Sequence, residues 1–334
     1  MGIKAYAVKS AKGKLEPIDL DLGPLGPDEV EVAVSHCGIC HSDLAMIANE
    51  WGMTRFPLVP GHEIVGTIAA LGSNVKSLKL GQRVGVGWQC GSCGTCEWCA
   101  IGHENYCANE KDTVVAHHGG WAERVRAEAK FAVPIPDGLD PARTGPLMCA
   151  GATVFSPMLH FGVTPEMRTA VVGIGGLGHL AVQFLSKMGC EVTAISSSHN
   201  KDQAIRELGA HHFIATRGTD ELKKAAGSFD FIISTVSADV NWNEFVNALR
   251  PQGRLVIVGI PESAMPIAAF GIIQQEKSVT GGRCGSPSDT AKMLDFAARH
   301  QVMAVCEQFP LADVNKALDH MHSGNVRYRI VLSV

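Results

Sequence analysis

The stretch TAVVGIGGLGHLAVQFLSKMG, residues 169–189, restricts the possible folds more than any other part of the chain. An apolar run leads directly into GIGGLG, and that into a helical pattern closed by Gly189. Alone, such a glycine hexapeptide is a tight turn. Between a strand and a helix it matches a dinucleotide-binding fingerprint, in which Gly173, Gly175, Gly176 and Gly178 let backbone approach a pyrophosphate. The helix start offers that anion free N–H groups and positive potential.

The alternation continues downstream. EVTAIS (191–196), HHFIA (211–215), FDFIIST (229–235) and RLVIVGI (254–260) read as strands, with helices at DQAIRELGA and near 242–249. Apolar strands alternating with helices predict an α/β unit whose doubly wound parallel sheet is covered on both faces. The second strand ends in Ser196, Ser197 and Ser198, with Lys201 just beyond. A carboxylate at that point would bond a ribose 2′-hydroxyl and select NAD. Three hydroxyls and an ammonium instead suit a 2′-phosphate, so the expected cofactor is NADP(H).

Residues 1–150 have a different texture. VEVAV (30–34), IVGTIAAL, RVGVGW and FAVPIP are short strand patterns separated by Gly and Pro, which predicts a barrel-like β region with large loops. GLDPARTGPLM (138–148) reads as a boundary. The tail shows helices near 288–300 and 311–322 and a last strand in RYRIVLSV. With 334 residues, 46% of them hydrophobic, two domains are expected.

The cysteines pose the chemical question. The run WQCGSCGTCEWCAIGHENYC (88–107) holds five of the eleven. A tetrahedral thiolate site takes four, and spacing allows either Cys90/Cys93/Cys96/Cys107 or Cys93/Cys96/Cys99/Cys107. An iron–sulfur cluster uses similar gaps, but Cys107 is followed by Ala rather than the Pro of the bacterial ferredoxin run. Further candidates lie apart: Cys40 in CGICHSD, His62 and Glu63 in PGHEIVG, and Cys149 in LMCAGATV. Thiolates, an imidazole and a carboxylate position suit zinc.

Net charge is −4 with no Lys/Arg block, which argues against nucleic acid or an anionic membrane as partner. The opening MGIKAYAVKS has no long apolar stretch or small-residue cleavage site, so no signal peptide is expected, and no run reaches the length of a membrane span. A cytoplasmic location follows as the expectation, where clustered thiols are read as metal ligands rather than disulfides.

CGICHSD, GHEIVG, the cysteine run, LMCAGATV, GIGGLG, SSSHNK and VRYRIV occur in the order found in one family. The chain resembles a zinc-dependent medium-chain alcohol dehydrogenase, on the cinnamyl alcohol dehydrogenase-like branch. The resemblance implies a GroES-like catalytic domain, 1–150 and 288–334, around a Rossmann NADP-binding domain, 151–287. It implies Cys40, His62 and Cys149 as catalytic zinc ligands, with Glu63 able to approach or replace the water ligand. Cys93, Cys96, Cys99 and Cys107 become the structural zinc ligands in the lobe 88–107, with Cys90 spare, making two zincs per chain. Ser42 would pass the proton, His41 would face the cofactor phosphates, and Asp43 would orient a zinc ligand from behind.

By the same resemblance Thr153 would touch the nicotinamide and Arg329 the pyrophosphate, with Arg327 close enough to be confused with it. Trp51 and Trp88 would line an apolar substrate pocket. Many relatives carry a proton-relay histidine five residues after the first zinc cysteine, where this chain has Ala45. The implied reaction is reversible hydride transfer between NADP(H) and a short-chain, allylic or aromatic primary alcohol or aldehyde. A polyol or formaldehyde dehydrogenase on the same fold is the alternative. The family also implies a homo-oligomer, dimer or tetramer.

Overall fold

The computed structural model describes residues 2–198 and 202–334. The chain forms two compact units, Met1–Ala152 with Gly285–Val334, and Thr153–Cys284.

In the second unit the glycine loop sits where the sequence puts it, after the strand Arg168–Val172 and before the helix Gly178–Lys187. The six-stranded sheet runs in the order His212–Ala215, Glu191–Ser196, Arg168–Val172, Phe229–Ser234, Leu249–Ile257, Ser278–Gly281. Numbered along the unit's chain, that is 3-2-1-4-5-6, and every pairing is parallel. This is the doubly wound order of dinucleotide-binding sheets. The central strands are largely apolar because both faces are covered: Ala170, Val171, Val172, Phe231, Ile232, Ile233, Leu255 and Val256 are all buried. Val172, Ile195, Ile232 and Leu255 share a core with Trp242, Phe245 and Val246 of the helix Trp242–Ala248. The edge strand Ser278–Gly281 escapes the sequence reading, since SVTG is only partly buried and carries no apolar run.

The first unit is β-rich. Its seven-stranded sheet passes from Cys306–Pro310 through Arg329–Ser333, Glu29–Ile39, Glu63–Leu71 and Arg83–Val86 to Val133–Pro134, with Arg124–Glu128 paired to Glu29–Ile39. FAVPIP yields only the short strand Val133–Pro134, because its prolines have no N–H to give a ladder. The hairpin Ile3–Val8 with Leu15–Leu20 lies outside this sheet. Val30, Val32, Ile39, Leu58, Ile64, Val84 and fully buried Trp121 belong to one core.

Two pairings decide where chemistry can be placed. Arg329–Ser333 lies antiparallel to Glu29–Ile39 with Ile330 opposite Ile39. Glu63–Leu71 lies antiparallel to the same strand with Glu63 opposite Gly38. The ends carrying Cys40, His62, Glu63 and Arg329 therefore converge at one rim of the sheet. GLDPARTGPLM, a boundary by composition, lies just before Ala152, where the first unit's long segment ends, and is folded into short helical turns. Asp140 caps the turn Pro141–Thr144 by accepting from the Ala142 N–H at 3.0 Å, and Gly145–Met148 follows as a buried 3-10 turn that delivers Cys149. Among the described residues no helix is long and apolar enough to cross a membrane.

Candidate active site

Cys40 is the N-cap of the helix His41–Ala48. The third helical residue, Asp43, is completely buried and organises the site. Its Oδ2 accepts the Cys40 N–H at 3.0 Å, and its Oδ1 accepts the Gly61 N–H at 2.9 Å and bonds His62 Nδ1 at 2.8 Å. One carboxylate thus ties together the turn holding a sulfur and the turn holding an imidazole. Gly61 makes the approach possible: its φ is +99°, and a Cβ there would stand 2.4 Å from Trp121 Cδ1.

With Nδ1 engaged by Asp43, His62 turns Nε2 toward Cys40. That nitrogen is buried and has no hydrogen-bond partner among the described residues. One ligand atom each from Cys40, His62, Glu63 and Cys149 lies within 4.8 Å of the others. Hydrogen bonding to Cys149 holds the Cys40 thiol well below its ordinary pKa, against the opposing effect of burial. Burial works to lower the His62 imidazole, but Asp43 and Cys40 outweigh it and hold the ring well above its ordinary value. Two sulfurs and an imidazole fixed from behind by a carboxylate are a donor set that fits zinc, which would take the place of the proton on His62.

Glu63 and Arg329 meet beside this cluster. Arg329 Nη2 donates to Glu63 Oε1, and both residues are buried. Burial pushes the Glu63 carboxyl up to about 7, and Arg329 pulls in the opposite direction. Glu63 Oε2 lies against Gly38, where a Cβ would stand 1.9 Å from it. Glu63 Oε2 and Arg329 Nε are unpartnered among the described residues. Arg327, by contrast, is exposed, and its N–H donates to Glu307 Oε1 at 2.8 Å. The two arginines are thus distinguished. The pairing of residues 63 and 329 has no signal in the sequence, because it comes from strand register.

His41 is exposed and Ser42 half-buried in the first helical turn, while Ala45 in the next turn is buried. Trp88 lies edge-on to His62, with ring centroids 5.0 Å apart, and Trp51 lies edge-on to Trp88 at 5.9 Å. Both tryptophans of the sequence reading thus lie beside the His62 cluster, and Trp51 is 39% exposed.

The cysteine lobe forms a second cluster. Cys93, Cys96, Cys99 and Cys107 bring their sulfurs within 4.8 Å of one another. Cys93 and Cys99 are 3.9 Å apart, and the Cys96 N–H donates to Cys93 Sγ at 3.3 Å. Backbone N–H groups of Thr95 and Cys96 lower the Cys93 thiol to about 6. Four sulfurs at this spacing fit a closed tetrahedral zinc site. Cys90 is left out: its thiol donates to the Lys111 carbonyl at 3.5 Å, and burial raises it to about 12.

In the second unit, Gly173 has φ +83°, and Gly178 packs so closely that a Cβ would stand 1.9 Å from the Gly173 carbonyl oxygen. Gly175 is exposed, and a Cβ there would meet nothing within 4 Å. No internal contact requires glycine at that position, whereas a phosphate lying on the loop would. Gly176 sits half-buried in the same loop. Ser196 ends its strand, Ser197 is exposed and Ser198 half-buried. Lys201 lies outside the described residues. Thr153 is half-buried in the helix Ala150–His160.

Both parts of the chain match known families. Residues 26–137 match the alcohol dehydrogenase GroES-like domain, and residues 176–299 match the zinc-binding dehydrogenase domain. The chain is 48% identical over 331 residues to aldehyde reductase AdhA of Synechocystis sp., covering 99% of this chain and 98% of that protein. Its fold is similar to a cinnamyl alcohol dehydrogenase of Sorghum bicolor, with TM-score 0.94, 39% identity and coverage of 100% and 98%. It is also similar to the cinnamyl alcohol dehydrogenase of Helicobacter pylori complexed with NADP(H), with TM-score 0.91, 29% identity and the same coverage. Two matched domains, a donor set suited to zinc and a glycine loop suited to a nucleotide lead to one conclusion: the chain belongs to the zinc-dependent medium-chain alcohol dehydrogenases and aldehyde reductases, on the cinnamyl alcohol dehydrogenase-like branch.

Proposed function

We propose that this oxidoreductase interconverts NADPH, a proton and a flat apolar aldehyde with NADP⁺ and the primary alcohol, and that it holds two zinc ions per chain. The observation that carries the reading is the unpartnered His62 Nε2, held toward Cys40 and Cys149 by the Asp43 bond to Nδ1. Cys40, His62 and Cys149 would hold the catalytic ion, with Glu63 beside it, and Cys93, Cys96, Cys99 and Cys107 the structural one. When bound, zinc supplies Lewis acidity at the substrate oxygen and the nicotinamide supplies or accepts hydride.

The chain's own residues do the rest. Asp43 fixes the imidazole that grips the metal. Trp51 and Trp88 offer ring edges and faces to a flat, apolar substrate, which favours allylic and aromatic aldehydes over polyols. Ser42, the one hydroxyl residue of the helix that Cys40 caps, would pass the substrate's proton onward, with water completing the path that Ala45 does not provide. Arg329 holds Glu63 back by pairing with it. Gly173, Gly175, Gly176 and Gly178 cradle the pyrophosphate, with His41 and Thr153 as further cofactor contacts. Ser196, Ser197 and Ser198, with no acidic residue among them, favour the 2′-phosphate of NADP(H), the cofactor form named for the Helicobacter pylori relative. A cytoplasmic homo-oligomer, dimer or tetramer, completes the proposal, and sedimentation reads the assembly.

The test combines metal analysis with NADPH-linked turnover of cinnamaldehyde, benzaldehyde, butanal and formaldehyde, and NADP⁺-linked oxidation of mannitol. Two zincs per chain and preference for the aromatic and allylic aldehydes are expected. A clear preference for mannitol or formaldehyde, or a single zinc at full stability, would overturn the reading.

A further inference from the structure

A 2′-phosphate carries nearly two negative charges, more than the serine hydroxyls and the single ammonium of Lys201 neutralise. The neighbouring strand brings a cation to the same place. Parallel register sets Ser196 beside Ala215, so both strands end together at the carboxyl edge of the sheet, the side on which open α/β sheets bind ligands. Beyond that edge the two segments remain joined. The Thr216 N–H donates to the Ser196 carbonyl at 2.9 Å, and the Arg217 N–H donates to the Ser197 carbonyl at 3.2 Å. Arg217 is therefore attached by its own backbone to the serine segment.

The loop that presents Arg217 is anchored on both sides. The Thr219 hydroxyl donates to the Ala215 carbonyl, the Ala215 N–H donates to Glu221 Oε2 at 2.8 Å, and Gly218 turns the chain at φ +72°. Nearby carboxylates are occupied: Glu221 by that N–H, and Asp220 by Lys223 at 3.6 Å. Arg217 itself is exposed, and no described residue forms an ion pair or side-chain hydrogen bond with its guanidinium.

We infer that Arg217 selects the phosphorylated cofactor alongside the Lys201 expected from the sequence, its guanidinium meeting the 2′-phosphate while Ser196, Ser197 and Ser198 supply hydroxyls. A guanidinium offers a fork of donors that matches phosphate oxygens, a stronger and more directional contact than an ammonium makes. This deepens the NADP(H) reading above and rests on it.

Calorimetric titration of the zinc-loaded protein with adenosine 2′,5′-bisphosphate and with 5′-AMP tests the inference without turnover. The wild-type chain is expected to bind the bisphosphate at least tenfold more tightly than AMP. Arg217→Ala should weaken bisphosphate binding roughly ten- to a hundredfold, the range for a charge-assisted contact, and leave AMP within about twofold. Arg217→Lys should recover part of the loss. Because the loop is held by backbone and by Thr219 and Glu221, melting temperatures of the variants should match the wild type. If the wild type prefers the bisphosphate and Arg217→Ala preserves that preference, the inference fails and the NADP(H) reading stands. If the wild type binds both ligands alike, the NADP(H) reading fails and takes Arg217 with it.

Discussion

Replacing Asp43 by asparagine removes one charge and almost no volume, yet the geometry makes it one of the most damaging single changes available. The carboxylate receives three bonds in a fully buried setting, from Cys40 N–H, Gly61 N–H and His62 Nδ1, at 3.0, 2.9 and 2.8 Å. Two of these share Oδ1 and the third uses Oδ2. An asparagine oriented to keep its oxygen on Gly61 and His62 points its NH₂ at the Cys40 N–H, donor against donor. A buried donor left unsatisfied costs about 1–3 kcal/mol, and turning two charge-assisted bonds into neutral ones costs roughly 1 kcal/mol each. The sum is about 3–5 kcal/mol. The bond that orients His62 is weakened at the same time, which for partners behind a metal ligand typically lowers binding about 10–100-fold. Urea unfolding of the zinc-free protein reads the first quantity, and competition with a chromophoric chelator reads the second. The lobe of Cys93, Cys96, Cys99 and Cys107 lies on separate loops, so only one of the two zincs should become labile. An Asp43→Asn protein that keeps both ions against the chelator and unfolds within 1 kcal/mol of wild type would refute the role given to Asp43.

Three further outcomes follow from the same geometry. Cys96→Ser should lose the lobe's ion and much of the protein's stability, since thiolate zinc sites contribute about 10–16 kcal/mol in finger peptides, whereas Cys90→Ser should keep both ions; metal analysis beside melting curves checks the pair. Arg329→Met strands the buried Glu63 carboxylate and should cost about 3–5 kcal/mol, most of it recovered on adding Glu63→Gln, a double-mutant cycle read by urea unfolding. Ser196→Asp sets a carboxylate against the 2′-phosphate and should move the ratio of NADP⁺ to NAD⁺ dissociation constants at least tenfold toward NAD⁺, measured by fluorescence titration.

What the sequence reveals and what it hides have physical causes that differ along the chain. The strands 191–196 and 229–235 are legible because a parallel sheet buries both faces, so Glu191–Ser196 and Phe229–Ser234 are mostly apolar, with Val192, Ala194, Ile195, Phe231, Ile232 and Ile233 buried on successive positions of both faces. Gly189 marks the helix end correctly because it takes φ +94° just past the C-cap. The edge strand Ser278–Gly281 is only partly buried, and in the hairpin strand Leu15–Leu20 only the two end leucines are buried, so neither leaves a comparable pattern. RYRIVLSV contributes its strand only from Arg329, because Tyr328 sits at φ +69° and breaks the extended backbone.

The candidate site divides along the same line. Cys40, Ser42 and Asp43 fall within four residues, so their shared role is visible as a local motif. The partnership of Glu63 with Arg329 spans 266 positions and depends on two antiparallel registers, Ile330 on Ile39 and Glu63 on Gly38. A slip of one residue in either register would turn that strand's side chains to the opposite face and take the guanidinium or the carboxylate away from Cys40. Glu29–Ile39 therefore has two tasks. Its alternating valines fix the registers against the core, and those registers bring a positive charge from the end of the chain to a cluster of thiols and a carboxylate assembled from its first half. The position of Arg329 is a consequence of where apolar side chains must go, which is why no reading of charged residues alone reaches it.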